Sequence, residues 1–361
     1  MTVDTGEPTG PLRWPDVLGP LIAGESLPAA STRWAMAEIM DGSASPAQVA
    51  AFAALLHAKG ETPEELRGLA DEMQGRATRV TLPGPAVDIV GTGGDRAETV
   101  NISSMAAIVV AGTGRTVAKH GNRSASSKSG STDVLEELGV AVDLDAAGVE
   151  ASLAAVGIGF CAANVFHAGM RHAAVPRREM GVPTAFNLLG PLTNPARPGA
   201  SSVGCFDAAM APVVAGVFAA RGDTAIVARG DDGLDEFTTT TTTHAWVVTA
   251  GAVHPVVVDA TRLGIDAVPP SALRGGDRVH NAGVVRAVVA GELPEIAGAV
   301  ALNAAAGIVA HDLATGTVTM DASDPTAGIE TLLADALVVA RGSIDSGAAA
   351  DLLARWQAFR P

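Results

Sequence analysis

The sequence predicts an α/β protein, with a small all-helical N-terminal domain and a larger domain whose central, mostly parallel sheet is flanked by helices. Residues 17–76 show only helical patterns, whereas from Ala86 onward short apolar strands alternate with helices. The chain has 361 residues, 48% of them hydrophobic, which is enough for about two domains and a full core. Only 17% of the residues are charged, which argues against extensive disorder.

Composition places a domain boundary near residue 80. The stretch 75–84 is polar and contains Gly and Pro, as is typical of a connecting segment. We therefore expect a helical domain over residues 1–82, with a tail at 1–12, and an α/β domain over 83–361. Part of residues 178–198 is expected to return to the helical domain.

Two helix starts in the first domain are marked by capping residues. Ser45 and Pro46 suit the N-cap and the first helical position, and Gly60 suits the end of that helix. Thr62 and Glu65 have the spacing of a reciprocal capping box that opens the next helix. We therefore expect two consecutive helices here.

The second domain is predicted from the alternation of apolar strands with helices. Strands are expected at residues 86–90, 115–118, 157–161, 202–205 and 224–228. Helices are expected at residues 103–111, 132–138, 147–155 and 208–220. Residues 245–249 and 253–259 are interpreted as a hairpin, the threonine run 238–243 as a strand or its edge, and residues 278–359 as mainly helical.

The charge balance argues against long anionic partners. With 39 acidic and 24 basic residues the net charge is −15, whereas nucleic acid and anionic membranes require a basic surface. The chain has no Tyr, and its 3% of aromatic residues leaves few rings for base stacking. The exception is residues 101–132, which contain no acidic residue but include Arg115, Lys119, Arg123 and Lys128.

The sequence also favours a cytoplasmic protein without a membrane partner. Cys161 and Cys205 lack a CxxC partner, so neither a disulfide framework nor a cysteine metal site is indicated. Residues 1–13 have no apolar h-region, and the run 208–220 is too short to span a bilayer.

A glycine-rich loop, Gly91-Thr92-Gly93-Gly94-Asp95, directly follows the first predicted strand. Glycines let a backbone approach a ligand closely and turn its N–H groups toward an anion. Polar residues then lead into the next helix, whose N-terminus suits phosphate or a metal bound to phosphate: Thr99, Asn101, Ser103 and Ser104. A tight turn followed by ordinary N-capping is the structural alternative.

A basic loop follows the second predicted strand. Lys119-His120-Gly121-Asn122-Arg123 precedes a Ser- and Gly-rich stretch over residues 124–131, and the loop holds two of the three lysines of the chain. Such a loop offers positive charge, hydroxyls and free backbone N–H groups to a polyanion. A linker that is merely flexible would rarely concentrate such scarce lysines.

A third segment, residues 167–195, contains Arg171, Arg177 and Arg178, and a guanidinium binds a carboxylate in a bidentate manner. Solvated surface arginines are the alternative for any one of them. His167 and His172 can equally be structural histidines, which we prefer for His172. A rigid and mostly structural turn is expected from Asn187, Gly190, Pro191, Asn194 and Pro195.

The fourth segment is Asp231-Asp232-Gly233-Leu234-Asp235-Glu236, which follows the predicted strand 224–228. Ligands of open α/β sheets bind beyond the carboxyl ends of strands. Asp235 and Glu236 suit a hydrated Mg²⁺, which takes one or two carboxylates together with substrate phosphates. A solvated acidic turn is the alternative, and it would be preferred without the other three segments.

Taken in order, these segments resemble the anthranilate phosphoribosyltransferase family of tryptophan biosynthesis. The resemblance rests on GTGGD, TxNxS, KHGNR with SxSG, the Arg-Arg-Glu and FNLLGPLTNP segment, and DGLDE. It implies transfer of a phosphoribosyl group from 5-phosphoribosyl 1-pyrophosphate (PRPP) to the amine of anthranilate, with Mg²⁺ assisting the departure of pyrophosphate. It also implies a homodimer that pairs through the helical domain.

The resemblance implies specific residue roles. The donor PRPP would be bound by Gly91, Gly94, Asp95, Thr99, Asn101, Ser103, Ser104, Lys119 and Ser131. Anthranilate would be bound by Gly91, Asn122 and Arg177, and Mg²⁺ by Ser103, Asp235 and Glu236. Lys119 and Asp95 are the candidate catalytic residues. No general base is assigned: His120 is the nearest candidate, and a structural role for it is preferred.

The chain departs from the family pattern at two positions. Arg96 stands where the family usually has a small residue, which adds charge beside the glycine loop. Ala168 stands where the family has a proline after the histidine, which affects the expected shape of the anthranilate entry.

Two other functions are compatible with parts of the pattern. A pyrimidine nucleoside phosphorylase has similar glycine-rich and KxGxR-like loops, but would use free phosphate without a metal at Asp235 and Glu236. A non-catalytic nucleic-acid-binding relative would need an extended basic groove, and the net charge of −15 counts against it.

Overall fold

The computed structural model describes residues 11–123 and 128–361. Its first part is a helical bundle, as expected. The four helices are α1 (Trp14–Ile22), α2 (Ala29–Met40), α3 (Pro46–Lys59) and α4 (Pro63–Arg76). The expected tail at 1–12 falls mostly outside the described residues, as do Ser124, Ala125, Ser126 and Ser127 of the basic loop.

The predicted capping residues open α3 and α4. Ser45 Oγ accepts a hydrogen bond from the Gln48 backbone N at 3.3 Å, and Thr62 Oγ1 accepts one from the Glu65 backbone N at 3.2 Å. The Glu65 carboxylate also accepts from the backbone N of Leu27 and from Lys59 Nζ, both at 2.8 Å. The capping box predicted at Thr62 is therefore confirmed, and its carboxylate also ties α4 to the segment before α2.

The α/β domain is built on one seven-stranded sheet with the order β3-β2-β1-β4-β5-β6-β7. The strands are β1 (Ala86–Gly91), β2 (Thr116–Gly121), β3 (Ile158–Ala162), β4 (Ala200–Gly204), β5 (Thr224–Gly230), β6 (Thr242–Thr249) and β7 (Ala252–Asp259). The first five are parallel, and β6 and β7 add an antiparallel hairpin. The predicted fold class is confirmed, with strand ends that shift by one to three residues.

Ten helices follow among the described residues of the second domain. They are α5 (Ile102–Gly112), α6 (Ser131–Glu137), α7 (Ala146–Val156), α8 (Ala163–Phe166), α9 (Arg171–Met180), α10 (Ala211–Arg221), α11 (Arg278–Val289), α12 (Pro294–Ala314), α13 (Pro325–Asp345) and α14 (Ala348–Ala358). Short 3₁₀ turns at Ala185–Asn187 and Gly190–Leu192 form the expected rigid turn.

Helix α12 is a longer apolar segment than the one the sequence singled out at 208–220. Among the described residues it is the one helix long and apolar enough to cross a membrane, but 78% of its apolar window is buried inside the protein. It packs against α5 and across β1, β4 and β5. Since a core helix meets the same length and composition criteria, α12 is interpreted as the central helix of the larger core.

The interpretation of residues 238–243 as strand is wrong for their first part, because β6 begins only at Thr242. Hydroxyls of Thr238 and Thr240 instead donate to the Asp232 carboxylate. Side-chain hydrogen bonds of this kind compete with the sheet ladder. The threonine run therefore has the composition of a strand, but its first part holds the acidic segment in place and forms no strand.

The core of the helical bundle extends onto one face of the sheet. It includes Val203 of β4 and Val227 of β5, together with Phe186 and Leu189 from the segment expected to return to the bundle. The expected division of the chain at residue 82 stays a prediction, because packing joins the two parts on this face.

The order of the strands puts a topological switch point between β1 and β4. The chain leaves β1 toward β2 on one side, whereas β4 lies on the other side and leads to β5. Ligands of such sheets bind in the crevice beyond the carboxyl ends of the strands at this point. Gly91 and Gly204, the last residues of β1 and β4, are paired here in register.

Candidate active site

The acidic segment lies directly on the ends of β1 and β4. A Cβ atom at Gly91 would be 2.3 Å from Asp235 Oδ2, and one at Gly204 would be 1.5 Å from the Asp235 backbone O. Asp235 Oδ2 accepts a hydrogen bond from the Gly93 backbone N at 2.7 Å. Gly91 and Gly204 are therefore needed for the close approach of this segment, which in the case of Gly91 is more than a hundred residues away in sequence.

The glycine loop is bent by left-handed backbone conformations. Gly93 and Gly94 have φ values of +65° and +93°. Thr92 donates its backbone N–H to Gly204 O at 2.9 Å, which holds the start of the loop on β4. The loop predicted from its glycines is confirmed as a turn that requires them, so the tight-turn interpretation and the ligand-binding interpretation are both compatible with it.

Two neighbouring acidic side chains, Asp235 and Glu236, lie where Asp235 meets the glycine loop. Burial and repulsion from Asp95 raise the pKa of Asp235 to about 8. Burial and repulsion from Asp235 raise the pKa of Glu236 well above its usual range, while Lys119 and the Ser103 backbone N–H act in the opposite direction. A nearby cation would favour the charged forms of both carboxyl groups, because it would offset the repulsion from neighbouring carboxylates.

The same carboxylates do not form a complete metal cage. Among the residues that the structure describes, no group of three or more His, Cys, Asp or Glu side chains is placed to hold a metal ion. Mg²⁺ commonly binds one or two carboxylates and completes its shell with water and substrate phosphates. The donor set of Asp235, Glu236 and the Ser103 hydroxyl fits such a partial site.

Lys119 lies in the floor of the site rather than in an open groove. Its side chain is buried, and Nζ donates to Ile89 O at 2.5 Å and to Ser103 Oγ at 3.4 Å. Burial lowers its pKa, while Asp88, Glu236 and Asp235 counteract that effect. The structure brings Lys119 together with Ser103 and the acidic pair, and its direct contact with a donor stays a prediction.

A buried network behind the site was missed by the sequence analysis. Asp88 is fully buried, and it accepts hydrogen bonds from the His120 backbone N at 3.0 Å and from Asn194 Nδ2 at 2.8 Å. Asn194 Nδ2 also donates to Ala118 O at 2.7 Å, which holds the rigid turn against β2. The available signal was a single charged residue inside an otherwise apolar strand.

His120 and His167 are structural neighbours whose rings lie 5.2 Å apart. The Gly190 carbonyl can only accept, so His120 Nδ1, at 2.8 Å from it, carries the proton. By the same reasoning His167 Nε2 donates to Thr193 O at 2.9 Å. Burial lowers the pKa of His120 to about 3 and that of His167 to about 4, which leaves both rings neutral.

Neutral buried histidines are expected to make the fold sensitive to acid. His167 has a folded pKa of about 4, so between an ordinary pKa near 6.5 and about 4 only the unfolded chain binds a proton there. Its contribution to stability is complete above pH 6.5 and falls by about 1.4 kcal/mol per pH unit below it. We expect the unfolding free energy of His167→Gln to depend less steeply on pH than that of wild type, by the equivalent of about one bound proton. Urea unfolding between about pH 7 and pH 5 measures this difference.

Asp88 has the opposite effect on the unfolding free energy, and comparing wild type with His167→Gln removes it because it is the same in both proteins. Burial raises the pKa of Asp88 to about 6, so its contribution improves as the pH falls in both proteins. An equal slope of unfolding free energy against pH in the two proteins would contradict a neutral His167.

The N-terminus of α5 brings together the remaining predicted donor contacts. Its N-cap is Asn101, whose side chain makes no cap hydrogen bond and instead bonds to Asn281 and to the Ser129 carbonyl. The ordinary capping by Ser103 or Ser104 considered from sequence is therefore not used. Ser104 is buried, and within the described part of the chain its hydroxyl has no hydrogen-bond partner. Thr99 forms an isolated bridge with Arg274 instead of a strand.

The basic segment is less available to a ligand than its composition implies. Arg115 pairs with Asp312 at 2.6 Å, Arg123 with Asp133 at 2.9 Å, and Lys128 with Glu98 at 3.1 Å. The expectation that this segment offers free positive charge is thus corrected, because three of the four cations in residues 101–132 have acidic partners, and two of these three lie in the basic loop.

Asn122 and Ser131 close the end of this loop. Ser131 Oγ donates to Asn122 O at 3.2 Å, and a Cβ at Gly121 would lie 2.4 Å from Ser131 Oγ. The Asn122 side chain is exposed and accepts from the Arg123 backbone N at 2.8 Å. Asn122 directly follows β2 and Ser131 begins α6, and their ligand contacts stay predictions.

Arg177 differs from the other arginines of its segment. Its side chain is half-buried on α9, and its guanidinium lies 5.8 Å from the centre of the Phe186 ring. Burial lowers its pKa, and no acidic side chain pairs with it in the described residues. Arg178 is exposed beside it. A desolvated cation without an acidic partner is suited to binding a carboxylate.

The two departures from the family pattern have local consequences. Arg96 has a φ of +58°, a region that favours glycine, so its side chain is held in a strained backbone conformation beside the glycine loop. Ala168 begins a short 3₁₀ turn, Ala168–Met170, in which Gly169 packs closely on Met40 of α2.

Two family models match most of the chain. The glycosyl transferase family helical bundle domain matches residues 15–77, and the glycosyl transferase family a/b domain matches residues 83–350.

Similar proteins cover the chain almost end to end. An anthranilate phosphoribosyltransferase of Nocardioides sp. is 55% identical over 345 residues, which is 96% of this chain and 98% of that protein. One from Salinispora arenicola is 54% identical over 351 residues and covers 96% of each chain.

Solved structures agree with this relationship. A crystal structure of anthranilate phosphoribosyltransferase from Thermus thermophilus has a TM-score of 0.83 at 36% identity, covering 95% of this chain and 98% of that one. The Saccharomyces cerevisiae enzyme in complex with PRPP and Mg has a TM-score of 0.81 at 24% identity, covering 95% and 96%, and shows the shared fold.

Proposed function

This chain belongs to the anthranilate phosphoribosyltransferases of the glycosyl transferase family, and we propose that its glycine loop, acidic pair and Arg177 divide the work of their reaction. The reaction transfers the phosphoribosyl group of PRPP to the amine of anthranilate and releases pyrophosphate. This assignment of roles rests mainly on the contact between Asp235 and the Gly91–Gly93 backbone. It joins an acidic group to an anion-binding loop, as a metal-assisted pyrophosphate site requires.

The donor is placed over the glycine loop and the start of α5. Breaking the bond between the ribose C1′ and the pyrophosphate oxygen develops negative charge on the leaving group, which preorganised N–H groups stabilise. Gly91, Gly94 and Asp95 are assigned to the donor together with Thr99, Asn101, Ser103, Ser104, Lys119 and Ser131. The unpartnered Ser104 hydroxyl supports this assignment, because a phosphate oxygen would satisfy it.

Mg²⁺ is assigned to Asp235, Glu236 and the Ser103 hydroxyl. When bound, the ion supplies electrostatic stabilisation of the departing pyrophosphate. The chain's own contribution is to aim two carboxylates at the loop, with Gly93 holding Asp235 and the Ser103 backbone N–H supporting Glu236. The positive charge of Lys119 attracts both carboxylates, whereas Asp95 repels Asp235. Lys119 and Asp95 together therefore set the electrostatic potential at the site.

Anthranilate is assigned to Gly91, Asn122 and Arg177, with the Arg177 guanidinium at its carboxylate. The aromatic amine is a neutral nucleophile near pH 7, so a strong base is optional. His120 is a poor candidate for one, since its pKa of about 3 makes the ring weakly basic and Nε2 is buried. Positioning of the two substrates then supplies much of the remaining rate.

Assembly and location complete the assignment. We place the enzyme in the cytoplasm as a homodimer that pairs through the helical bundle. Support comes from α2, where Ala29, Ala30, Trp34 and Ala37 line a shallow surface that Arg33 and Glu72 border. A mass in solution of twice 36.1 kDa is expected from light scattering, and a monomer would contradict the pairing.

An assay of two reactions separates this function from that of a nucleoside phosphorylase. We expect the fluorescence of anthranilate to fall when the protein is mixed with PRPP and Mg²⁺, and thymidine to remain intact in the presence of free phosphate. Constant fluorescence with phosphorolysis of thymidine would favour the phosphorylase. A gel shift at physiological salt tests the nucleic-acid-binding alternative, for which we expect no retarded band.

A further inference from the structure

A chain of amide groups connects α11 to the proposed donor site. Asn281, in the first turns of α11, is 2% exposed. Its Oδ1 accepts a hydrogen bond from the Gly276 backbone N at 2.8 Å, and its Nδ2 donates to Asn101 Oδ1 at 2.8 Å. Asn101 Nδ2 in turn donates to Ser129 O at 3.3 Å.

The orientation of both amides follows from their partners. A backbone N–H can only donate, so the atom of Asn281 that faces Gly276 is its oxygen, and its NH₂ faces Asn101. The atom of Asn101 that faces Asn281 is therefore its oxygen. The NH₂ group of Asn101 then points to the Ser129 carbonyl, which can only accept.

The backbone around Asn281 holds this arrangement in place. Gly275 donates its N–H to Glu98 O at 2.8 Å, and Val100 donates its N–H to Leu273 O at 3.0 Å. A Cβ at Gly275 would lie 2.6 Å from Thr99 O, so glycine permits the close approach of the two segments. Residues 273–281 thus form an arm that fixes the polar segment 98–101 after the glycine loop.

We propose that Asn281 is a positioning residue for donor binding, an inference that rests on the donor-binding role proposed above for Asn101. Asn281 orients the Asn101 amide so that its NH₂ group, rather than its oxygen, faces the site. One N–H bond goes to Ser129 O, and the second is left for a phosphate or ribose oxygen of PRPP. An inverted Asn101 amide would present an oxygen to that polyanion and repel it.

The isosteric variant Asn281→Asp tests this directly. It keeps the shape and the bond from the Gly276 N–H but replaces the donor to Asn101 with an acceptor, so Asn101 must invert. We expect the KM and the Kd for PRPP to rise about tenfold, the loss of about one hydrogen bond to a charged group, with the KM for anthranilate unchanged. Val279→Ala, an exposed change on the same turn, is the matched control and should leave all constants unchanged.

Asn281→Ala keeps the test valid if the new carboxylate impairs folding. It removes both bonds without adding charge, and we expect a smaller rise in KM for PRPP because Asn101 is freed rather than inverted. In an Asn101→Ala background neither Asn281 variant should change PRPP binding further. Persistence of the effect in that background would contradict the positioning role.

Calorimetric titration with PRPP and Mg²⁺ separates the two levels of inference. Wild type that binds PRPP but does not consume anthranilate would contradict the proposed transfer, while the Asn281 comparison still stands on Kd. An unchanged Kd for PRPP in folded Asn281→Asp would overturn the positioning role. So would an equal rise in the KM of both substrates with a lower melting temperature, which indicates a structural role alone. Failure of wild type to bind PRPP would overturn both.

Discussion

The double variant Asp235→Asn with Glu236→Gln is expected to lose about two to three orders of magnitude in kcat/KM for PRPP, on the scale seen when an enzyme loses a main electrostatic stabiliser of its transition state. Asp235 contacts the glycine loop. Burial and repulsion from Asp95 raise the pKa of Asp235, and burial and repulsion from Asp235 raise that of Glu236. Amides of the same shape remove the charge that would hold Mg²⁺ against pyrophosphate. The Gly93 N–H still finds an acceptor in the new Asn side chain.

Titration of activity with Mg²⁺ is the measurement for this variant, which should need a much higher concentration to reach half of its maximal rate. Asp231→Asn is the matched control, because Asp231 is an exposed acid of the same turn and pairs with His244 and Thr242 outside the site. We expect the double variant to unfold at the same or a higher temperature in Mg²⁺-free buffer, since it removes two acidic groups whose charged forms are disfavoured by burial and by neighbouring carboxylates. An unchanged Mg²⁺ titration would remove the acidic pair from the metal site.

Arg177→Ala is expected to raise the KM for anthranilate by about 10- to 100-fold, while the KM for PRPP changes little. A hydrogen bond to a charged group contributes about 1.5–3 kcal/mol, and 1.4 kcal/mol corresponds to a factor of ten. Arg177 is half-buried and lacks an acidic partner in the described residues, so its guanidinium is available to a carboxylate.

Steady-state kinetics with each substrate varied in turn measure this split. Arg178→Ala, one residue along the same helix and exposed, should behave as wild type. Arg177→Lys keeps the charge but loses the planar fork, so we expect an intermediate KM for anthranilate. A variant of Arg177 that loses PRPP binding selectively would contradict its assignment to the acceptor.

Local chemistry made the fold predictable to a large extent. The capping box at Thr62 and the apolar strand before the glycine loop are determined by neighbours in sequence, and both are confirmed. The run 238–243 failed because threonine hydroxyls found a carboxylate partner, a competition that propensity does not reveal.

The candidate site was only partly predictable because several of its contacts are distant in sequence. Asp235 was identified from its acidic segment, but its close contact with Gly91 depends on the pairing of β1 with β4. Asn281 lies in an ordinary helical pattern, and its link to Asn101 appears only once α11 is placed. Lys128 was counted among the cations of a loop suited to a polyanion, and the structure pairs it with Glu98.

The stoichiometry of pyrophosphate release tests the central claim most directly. With PRPP, anthranilate and Mg²⁺ present, we expect one pyrophosphate to be released for each anthranilate whose fluorescence is lost, and none when anthranilate is omitted. Release of pyrophosphate without loss of anthranilate, or loss of neither substrate, would contradict the transfer of phosphoribosyl to the anthranilate amine by this chain.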